Sequence, residues 1–228
     1  MSEKTPGVAK SDTQESIMRV GQITSFSNKD RVVNFSCGHV EKDVDHVVFA
    51  TGYMYSYPFL QNLAPLPAIC SSGAMVENTY LHMIYYPSPT LFFTGLPQRV
   101  VPFPIAEVQT AVIARLLSGR LRYPDLDIMI SWEKDRLAEI EDEHAFHNMK
   151  FPEDVSYLNY LHGWALSAPD NLHVGKIPPH WDEEERWLRG IMPQVKEASR
   201  QLGPRRHEVK TLAELGFHFE APRESALF

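Results

Sequence analysis

The stretch Asp45-His46-Val47-Val48-Phe49-Ala50-Thr51-Gly52-Tyr53 decides how the fold is interpreted. Its apolar run from Val47 to Ala50 is typical of a β-strand that is covered on both faces. The run ends at Thr51 and Gly52, small residues that let another backbone or a bound molecule come close. The sequence therefore predicts a buried strand over 45–50 that ends at a position suited to a binding site.

Two shorter runs of strand-forming residues precede this strand. Residues 19–26 alternate polar and apolar side chains, and residues 31–35 are again rich in β-branched and aromatic side chains. Turn-forming residues at 28–30 and 36–39 separate the runs, as an antiparallel meander requires. We therefore expect a three-stranded β-meander between 17 and 53, which is too small a sheet to be stable alone.

Downstream of the meander, two strands and a buried helix are predicted. Strands are predicted over 80–86 and 90–94, one on each side of a Pro-Ser-Pro turn at 87–89. A helix begins near Pro104, since proline is favoured in a first helical turn, and it ends at Gly119, a typical C-terminal cap. Its apolar stripe consists of Ile105, Val108, Val112 and Leu116.

Three further helices follow, at about 126–143, 153–168 and 182–202. Pro193 is expected to kink or split the last of them, because proline removes a helical hydrogen bond. A short helix is predicted at 211–215. No internal repeat or low-complexity segment is present.

Composition excludes several classes of protein. Lys and Arg (22) are outnumbered by Asp and Glu (29), and the resulting charge of -7 argues against a nucleic-acid partner. Cys37 and Cys70 are too few and too far apart for a zinc site or a disulfide framework. No apolar run approaches the length of a membrane span, so no membrane partner is expected. The sequence predicts a soluble, cytoplasmic protein.

The glycines also exclude familiar nucleotide sites. None of the 12 glycines forms G-x-G-x-x-G or G-x-x-x-x-G-K, so no loop can cradle a pyrophosphate in the usual way. His144-x-x-His147 has ligand-type side chains, but the surrounding segment is charged. We therefore interpret it as a solvated face and predict no metal site.

Several motifs occur together in the order typical of one family. They are Phe49-Ala50-Thr51-Gly52-Tyr53, Tyr80-x-His82, Thr90-Leu91-Phe92-Phe93-Thr94-Gly95-Leu96, Pro104-x-x-Glu107-x-Gln109 and Gly119. In this order they resemble the flavin-containing monooxygenases. The stretches Val100-Val101-Pro102-Phe103-Pro104 and Leu117-Ser118-Gly119-Arg120-Leu121 are similar to fungal members in particular. The resemblance covers residues 17–203.

The chain resembles only the C-terminal half of that family. Complete members carry one glycine-rich motif for FAD, a second for NADPH and an F-x-G-x-x-x-H motif between them, and none occurs here. The resemblance implies an α/β flavoprotein with two dinucleotide-binding domains, present here incompletely, so that the isolated chain is α+β.

The same resemblance suggests a division of the chain. Residues 1–16 are expected to form a flexible tail, and 17–53 a remnant of the NADPH-binding domain with its linker. Residues 54–203 would be the C-terminal part of the FAD-binding domain with a helical extension, and 204–228 a peripheral tail.

The chemistry implied by the resemblance is reduction of FAD by NADPH and transfer of oxygen to a soft sulfur or nitrogen atom of a small substrate. Protein side chains mainly bind and orient the cofactor in such enzymes, so no catalytic side chain is assigned. The cofactor-binding candidates are Thr51, Gly52, Val101, Pro102, Phe103 and Gln109.

Each assignment has a simpler alternative. Thr51 and Gly52 could form a tight turn with no ligand, and Gln109 could be an internal hydrogen-bond partner.

Two functions remain open from sequence alone. The first is a flavin-dependent monooxygenase that requires a complementary N-terminal half. The alternative is a non-catalytic remnant that acts as a protein-interaction scaffold.

Overall fold

A computed structural model describes residues 18–169 and 175–221 of the chain. The backbone divides into two compact units, one that ends at Gly52 and one that begins at Tyr53. The expected tail over 1–16 lies outside the described residues, as does the end of the expected C-terminal tail, 222–228.

The first unit is an antiparallel three-stranded meander, and its first two strands lie within or close to the predicted runs. Its strands are β1 (Ile23–Ser27), β2 (Val32–Phe35) and β3 (Val40–Glu41), with β2 in the centre. Phe26 lies opposite Val33, and a bulge interrupts the register of β1. Among the described residues of this unit, Val33 is the one buried hydrophobic side chain, so the sheet has little core of its own.

The predicted strand over 45–50 is wrong for this chain. These residues form no strand, and the side chains of Val48 and Phe49 are 85% and 71% exposed. Strand geometry is stabilised by a hydrogen-bonded neighbour, and no described segment pairs with 45–50. The third strand of the meander is instead β3.

The strands predicted over 80–86 and 90–94 are much shorter than expected. A small hairpin is formed by β4 (Thr79–Tyr80) and β5 (Ile84–Tyr85), and the second run contributes one bridge, from Phe92 to Ile84. Leu81 and His82 have φ angles of 51° and 54°, so the chain reverses there. This left-handed turn is what breaks the continuous strand.

The four predicted long helices are present. They are α1 (Pro102–Leu117), α2 (Leu126–Ala138), α3 (Glu153–Leu166) and α4 (Glu183–Gln201). Helix α1 begins two residues before Pro104, and α2 ends earlier than expected. Helix α4 continues through Pro193 rather than splitting there. The predicted short helix appears as the 3-10 turn Ala213–Leu215.

The end of α1 confirms the predicted glycine cap. Gly119 has a φ of 70°, which glycine adopts without strain. Its N–H donates to the carbonyl of Leu116 at 3.0 Å, and the N–H of Arg120 donates to that of Arg115 at 2.9 Å. This pair of bonds is a Schellman motif, which satisfies the last helical carbonyls.

The core of the second unit lies where α1 packs against α3. Val108 and Val112 on α1, and Leu158 and Leu161 on α3, are completely buried. Helix α2 packs against β4 and closes the same cluster with Met129. The apolar stripe of α1 thus faces the core and fixes the position of the start of the helix.

Candidate functional site

The start of α1 is the candidate cofactor contact that the sequence singled out. Val101 is the N-cap, and no side chain caps the helix there. The first three residues of α1 are Pro102, Phe103 and Pro104. Proline has no N–H, so Phe103 supplies the free backbone N–H among these three. The Phe103 side chain is 84% exposed beside it. This end of α1 therefore offers an uncapped N–H, a positive helix-dipole end and an apolar face.

Gln109 ties the loop before α1 to the helical core. Its side chain is completely buried. Its Oε1 accepts the N–H of Gly95 at 2.9 Å, and its Nε2 donates to the hydroxyl of Tyr157 at 2.8 Å. That hydroxyl donates to the carbonyl of Leu81 at 2.7 Å, and burial raises the pKa of Tyr157. Gln109 is therefore an internal hydrogen-bond partner, which was the simpler alternative given for it from the sequence.

Thr51 and Gly52 belong to the first unit and are exposed. Gly52 has a φ of 92°, and no atom lies within 4 Å of the place that a Cβ would occupy. Glycine is required there by backbone conformation rather than by crowding. Of the six candidate residues, the structure brings Val101, Pro102, Phe103 and Gln109 together on α1 and its N-cap.

A buried histidine pair was missed by the sequence analysis. His82 and His147 are each 1% exposed, and their Nδ1 atoms lie 3.0 Å apart. The backbone N–H of Val76 donates to Nε2 of His147 at 3.1 Å. The solvated face predicted for His144-x-x-His147 is correct for His144, which is exposed, but wrong for His147. Within 18–169 and 175–221, no cluster of three or more metal-ligating side chains occurs.

Burial sets the protonation state of this pair. It lowers the pKa of His147 to about 3, with a further contribution from the positive charge of Arg136. Burial also lowers the pKa of His82 well below its usual value, and His147 and Arg136 act in the same direction. Both rings are therefore neutral at pH 7.

We expect acid to destabilise the second unit through His147. An unfolded histidine takes up its proton near pH 6.5 and folded His147 near pH 3, so the unfolded chain binds more protons between these values. Between pH 7 and pH 4, this difference should lower the free energy of unfolding by about 3 kcal/mol. Urea denaturation at pH 7 and at pH 4 measures this change in the free energy of unfolding.

The matched control for this prediction is the exposed neighbour His144. The variant His144→Gln should keep the full pH dependence, whereas His147→Gln should be less stable at pH 7 and show a shallower loss on acidification. Equal pH dependence in both variants would show that His147 does not carry the effect.

Comparison with known proteins identifies the class to which this chain belongs. Residues 14–172 match the family model described as flavin-binding monooxygenase-like. The chain therefore belongs to the flavin-binding monooxygenase-like family.

Individual relatives agree with this assignment. A thiol-specific monooxygenase of Saccharomyces cerevisiae is 37% identical over 189 residues, which are 79% of this chain and 40% of that protein. The flavin-containing monooxygenase ustF2 of Aspergillus flavus is 26% identical over 69% of this chain and 34% of its own length. The chain thus spans about two fifths or less of these relatives.

A solved structure supports the fold. The S-allyl-L-cysteine S-oxygenase of Allium sativum superposes with a TM-score of 0.69 at 23% identity. The match covers 95% of this chain and 45% of the garlic protein. The expected mixed α and β fold with incomplete sheets is therefore confirmed. No helix in the described part of the chain is long and apolar enough to cross a membrane.

Proposed function

We propose that this chain is part of a flavin-dependent monooxygenase that uses FAD and NADPH to oxygenate a small compound at a soft sulfur or nitrogen atom. Membership of the flavin-binding family over 14–172 is the observation that carries the proposal. A thiol is the favoured substrate class, because a relative at 37% identity is a thiol-specific monooxygenase.

The start of α1 fits one part of FAD, the flavin ring. The ring is flat and largely apolar, and the exposed side chain of Phe103 provides an apolar surface. The uncapped first turn provides a hydrogen-bond donor and the positive end of a dipole, which suit an electron-rich ring edge. Val101, Pro102 and Phe103 are therefore the residues that would hold the ring.

These residues would act by binding and by exclusion of water. When bound, FAD supplies the redox chemistry by accepting a hydride from NADPH and activating molecular oxygen. The dipole of α1 would stabilise negative charge on the ring edge. Val101 and Phe103 would keep water from the reacting face, and Gln109 would act as a positioning residue through its bond to Gly95.

The same residues do not fit the pyrophosphate of FAD or NADPH. No glycine cluster is available to bring the backbone close to phosphate oxygens. We therefore assign both phosphate sites to a complementary N-terminal half. Tyr53, Phe59 and Phe103, which are large and exposed, would be covered in that assembly. Thr51 and Gly52 would lie where the chain passes between the two cofactor domains.

Reconstitution tests the proposal. The chain fused from Ile17 onward behind a fungal N-terminal half that carries both glycine motifs is expected to bind about one FAD per polypeptide and to oxidise NADPH in the presence of a thiol. The chain without that half is expected to purify colourless. Flavin absorbance and NADPH consumption measure the two outcomes.

A matched control is the N-terminal half alone. If the fused protein bound no more flavin than that half and consumed no NADPH, the scaffold function would be favoured instead. Stoichiometric flavin on the unfused chain would contradict the assignment of the pyrophosphate site to the other half.

A further inference from the structure

The loop that leads into α1, residues 95–101, is fastened to the fold before the helix begins, and we call it the entry loop. Its first N–H is held by the side chain of Gln109. In its middle, the N–H of Gln98 donates to the carbonyl of His147 at 2.7 Å, and the carbonyl of Gln98 accepts the N–H of Met149 at 3.0 Å. The beginning and the middle of the entry loop therefore have fixed positions.

The backbone of Arg99, the next residue, has a conformation that needs support from outside the loop. Its φ is 62°, in the left-handed region, where a residue with a Cβ is strained. Arg99 is exposed, so packing of its side chain does little to hold this conformation. Nη2 of Arg189 on α4 donates to the carbonyl of Arg99 at 2.9 Å. Among the described residues, this is the last hydrogen bond from outside α1 that reaches the entry loop before the N-cap, Val101.

Arg189 is itself held in place by a buried charge. Its Nε lies 2.5 Å from Oδ2 of Asp154, a completely buried carboxylate on α3. The neighbouring Gly190 lets α4 come close to Phe151, since a Cβ on Gly190 would lie 3.0 Å from the ring. The planar guanidinium of arginine can donate in two directions at once. One side chain therefore links α3, α4 and the entry loop.

We propose that Arg189 is a positioning residue for the flavin contact at the start of α1. It holds Arg99 in the left-handed conformation, and only Val100 separates Arg99 from the N-cap Val101. A change of φ at Arg99 would displace Val101 from the place where it shields the ring, and small displacements beside reacting atoms have large effects on turnover. The inference rests on the proposed function and adds to it a residue on another helix that does not touch the cofactor.

Trypsin tests the contact between Arg189 and Arg99 on the chain alone. Trypsin cleaves after arginine where the backbone can open into an extended conformation, so a tethered loop is protected. The variant Arg189→Lys keeps a positive charge for Asp154 but lacks the planar fork that reaches the entry loop as well. Cleavage of the Arg99–Val100 bond should become about tenfold faster, the effect of one lost hydrogen bond. Mass spectrometry of the fragments measures the rate.

Two controls accompany the trypsin measurement. Arg200→Lys makes the same substitution at an exposed position of α4 and should leave cleavage after Arg99 unchanged. Cleavage after Arg115, which is buried in α1, reports unfolding of the whole unit and should not accelerate in Arg189→Lys. Unchanged cleavage after Arg99 in Arg189→Lys, or an equal acceleration after Arg99 and Arg115, would overturn the proposal.

Substitutions at position 99 test the consequence for the flavin when the chain is fused to the N-terminal half. Arg99→Val disfavours the left-handed conformation through its branched Cβ, whereas Arg99→Gly permits it without strain, and both leave the pair of Asp154 and Arg189 intact. The ratio of peroxide released to NADPH consumed should rise about threefold in Arg99→Val and in Arg189→Lys. Adding Arg99→Gly to Arg189→Lys should lower the ratio again, because glycine no longer needs the support.

The results distinguish failure of this inference from failure of the proposed function. A parent fusion that binds no FAD would overturn both. Normal flavin content and NADPH oxidation in the parent, together with an unchanged peroxide ratio in Arg99→Val, would overturn the positioning role alone. If Arg99→Gly did not lower the ratio of Arg189→Lys, Arg189 would act through Asp154 and the packing of α3, and the positioning role would again be refuted.

Discussion

Replacing Arg189 by leucine is expected to lower the free energy of unfolding of the second unit by about 4 kcal/mol. The Asp154 side chain on α3 is completely buried, and its Oδ2 lies 2.5 Å from Nε of Arg189 on α4. The other carboxylate oxygen accepts the N–H of Val155 at 3.0 Å. Without Arg189, the protein would contain a buried charge whose ionic partner is gone, and urea denaturation at pH 7 would measure the loss.

Two further variants separate this effect from a loss of packing. The double variant Asp154→Asn, Arg189→Leu should be more stable than Arg189→Leu alone, because the uncompensated charge is removed. Arg200→Leu on the same helix breaks an exposed pair with Glu197, in which the atoms are 3.4 Å apart, and should cost about 0.5 kcal/mol or less. A similar small cost for Arg189→Leu would mean that the buried pair does not stabilise the packing of α3 and α4.

The helices could be predicted from the sequence because their signals are local. The stripe of Ile105, Val108, Val112 and Leu116 recurs at helical spacing, and every member is buried. Gly119 marks the end of α1 because its left-handed φ is a property of the residue type. These signals require no knowledge of what the helix packs against.

The strands were harder to predict because a strand depends on its partner. The run from Val47 to Ala50 has the composition of a buried strand, yet it is unpaired among the described residues. The prediction of one continuous strand over 80–86 was wrong for another reason. The left-handed turn begins at Leu81, and leucine rarely adopts positive φ, so composition does not predict the turn.

The histidine pair was not predictable from spacing. His82 and His147 are 65 positions apart and belong to different loops, so only tertiary packing brings them together. The charged neighbours of His147 suggested exposure, but the short 3-10 helix Glu143–Ala145 leads the chain inward at Phe146. For Gln109, the simpler alternative agrees with the structure, since a polar residue in a buried stripe requires internal hydrogen-bond partners. Its role in cofactor binding stays a prediction.

The second large effect is expected at Phe103 in the reconstituted flavoprotein, and it depends on the proposed function. If the start of α1 faces the flavin, Phe103→Ala should admit water to the reacting face and divert turnover from oxygenation to release of hydrogen peroxide. The ratio of peroxide released to NADPH consumed should rise about fivefold, which corresponds to about 1 kcal/mol in the competing barriers. Because the side chain is exposed in this chain, the substitution leaves the core intact.

Leu117 at the opposite end of α1 provides the matched control. Its side chain is 60% exposed and apolar, so Leu117→Ala removes a comparable surface group from the same helix without approaching the proposed flavin contact. That variant should keep the peroxide ratio of the parent protein. If both variants raised the ratio equally, the cause would be general loosening of α1. If neither raised it while flavin content and NADPH oxidation were normal, Phe103 would not shield the reacting face, and the flavin ring would have to lie against another part of the fold.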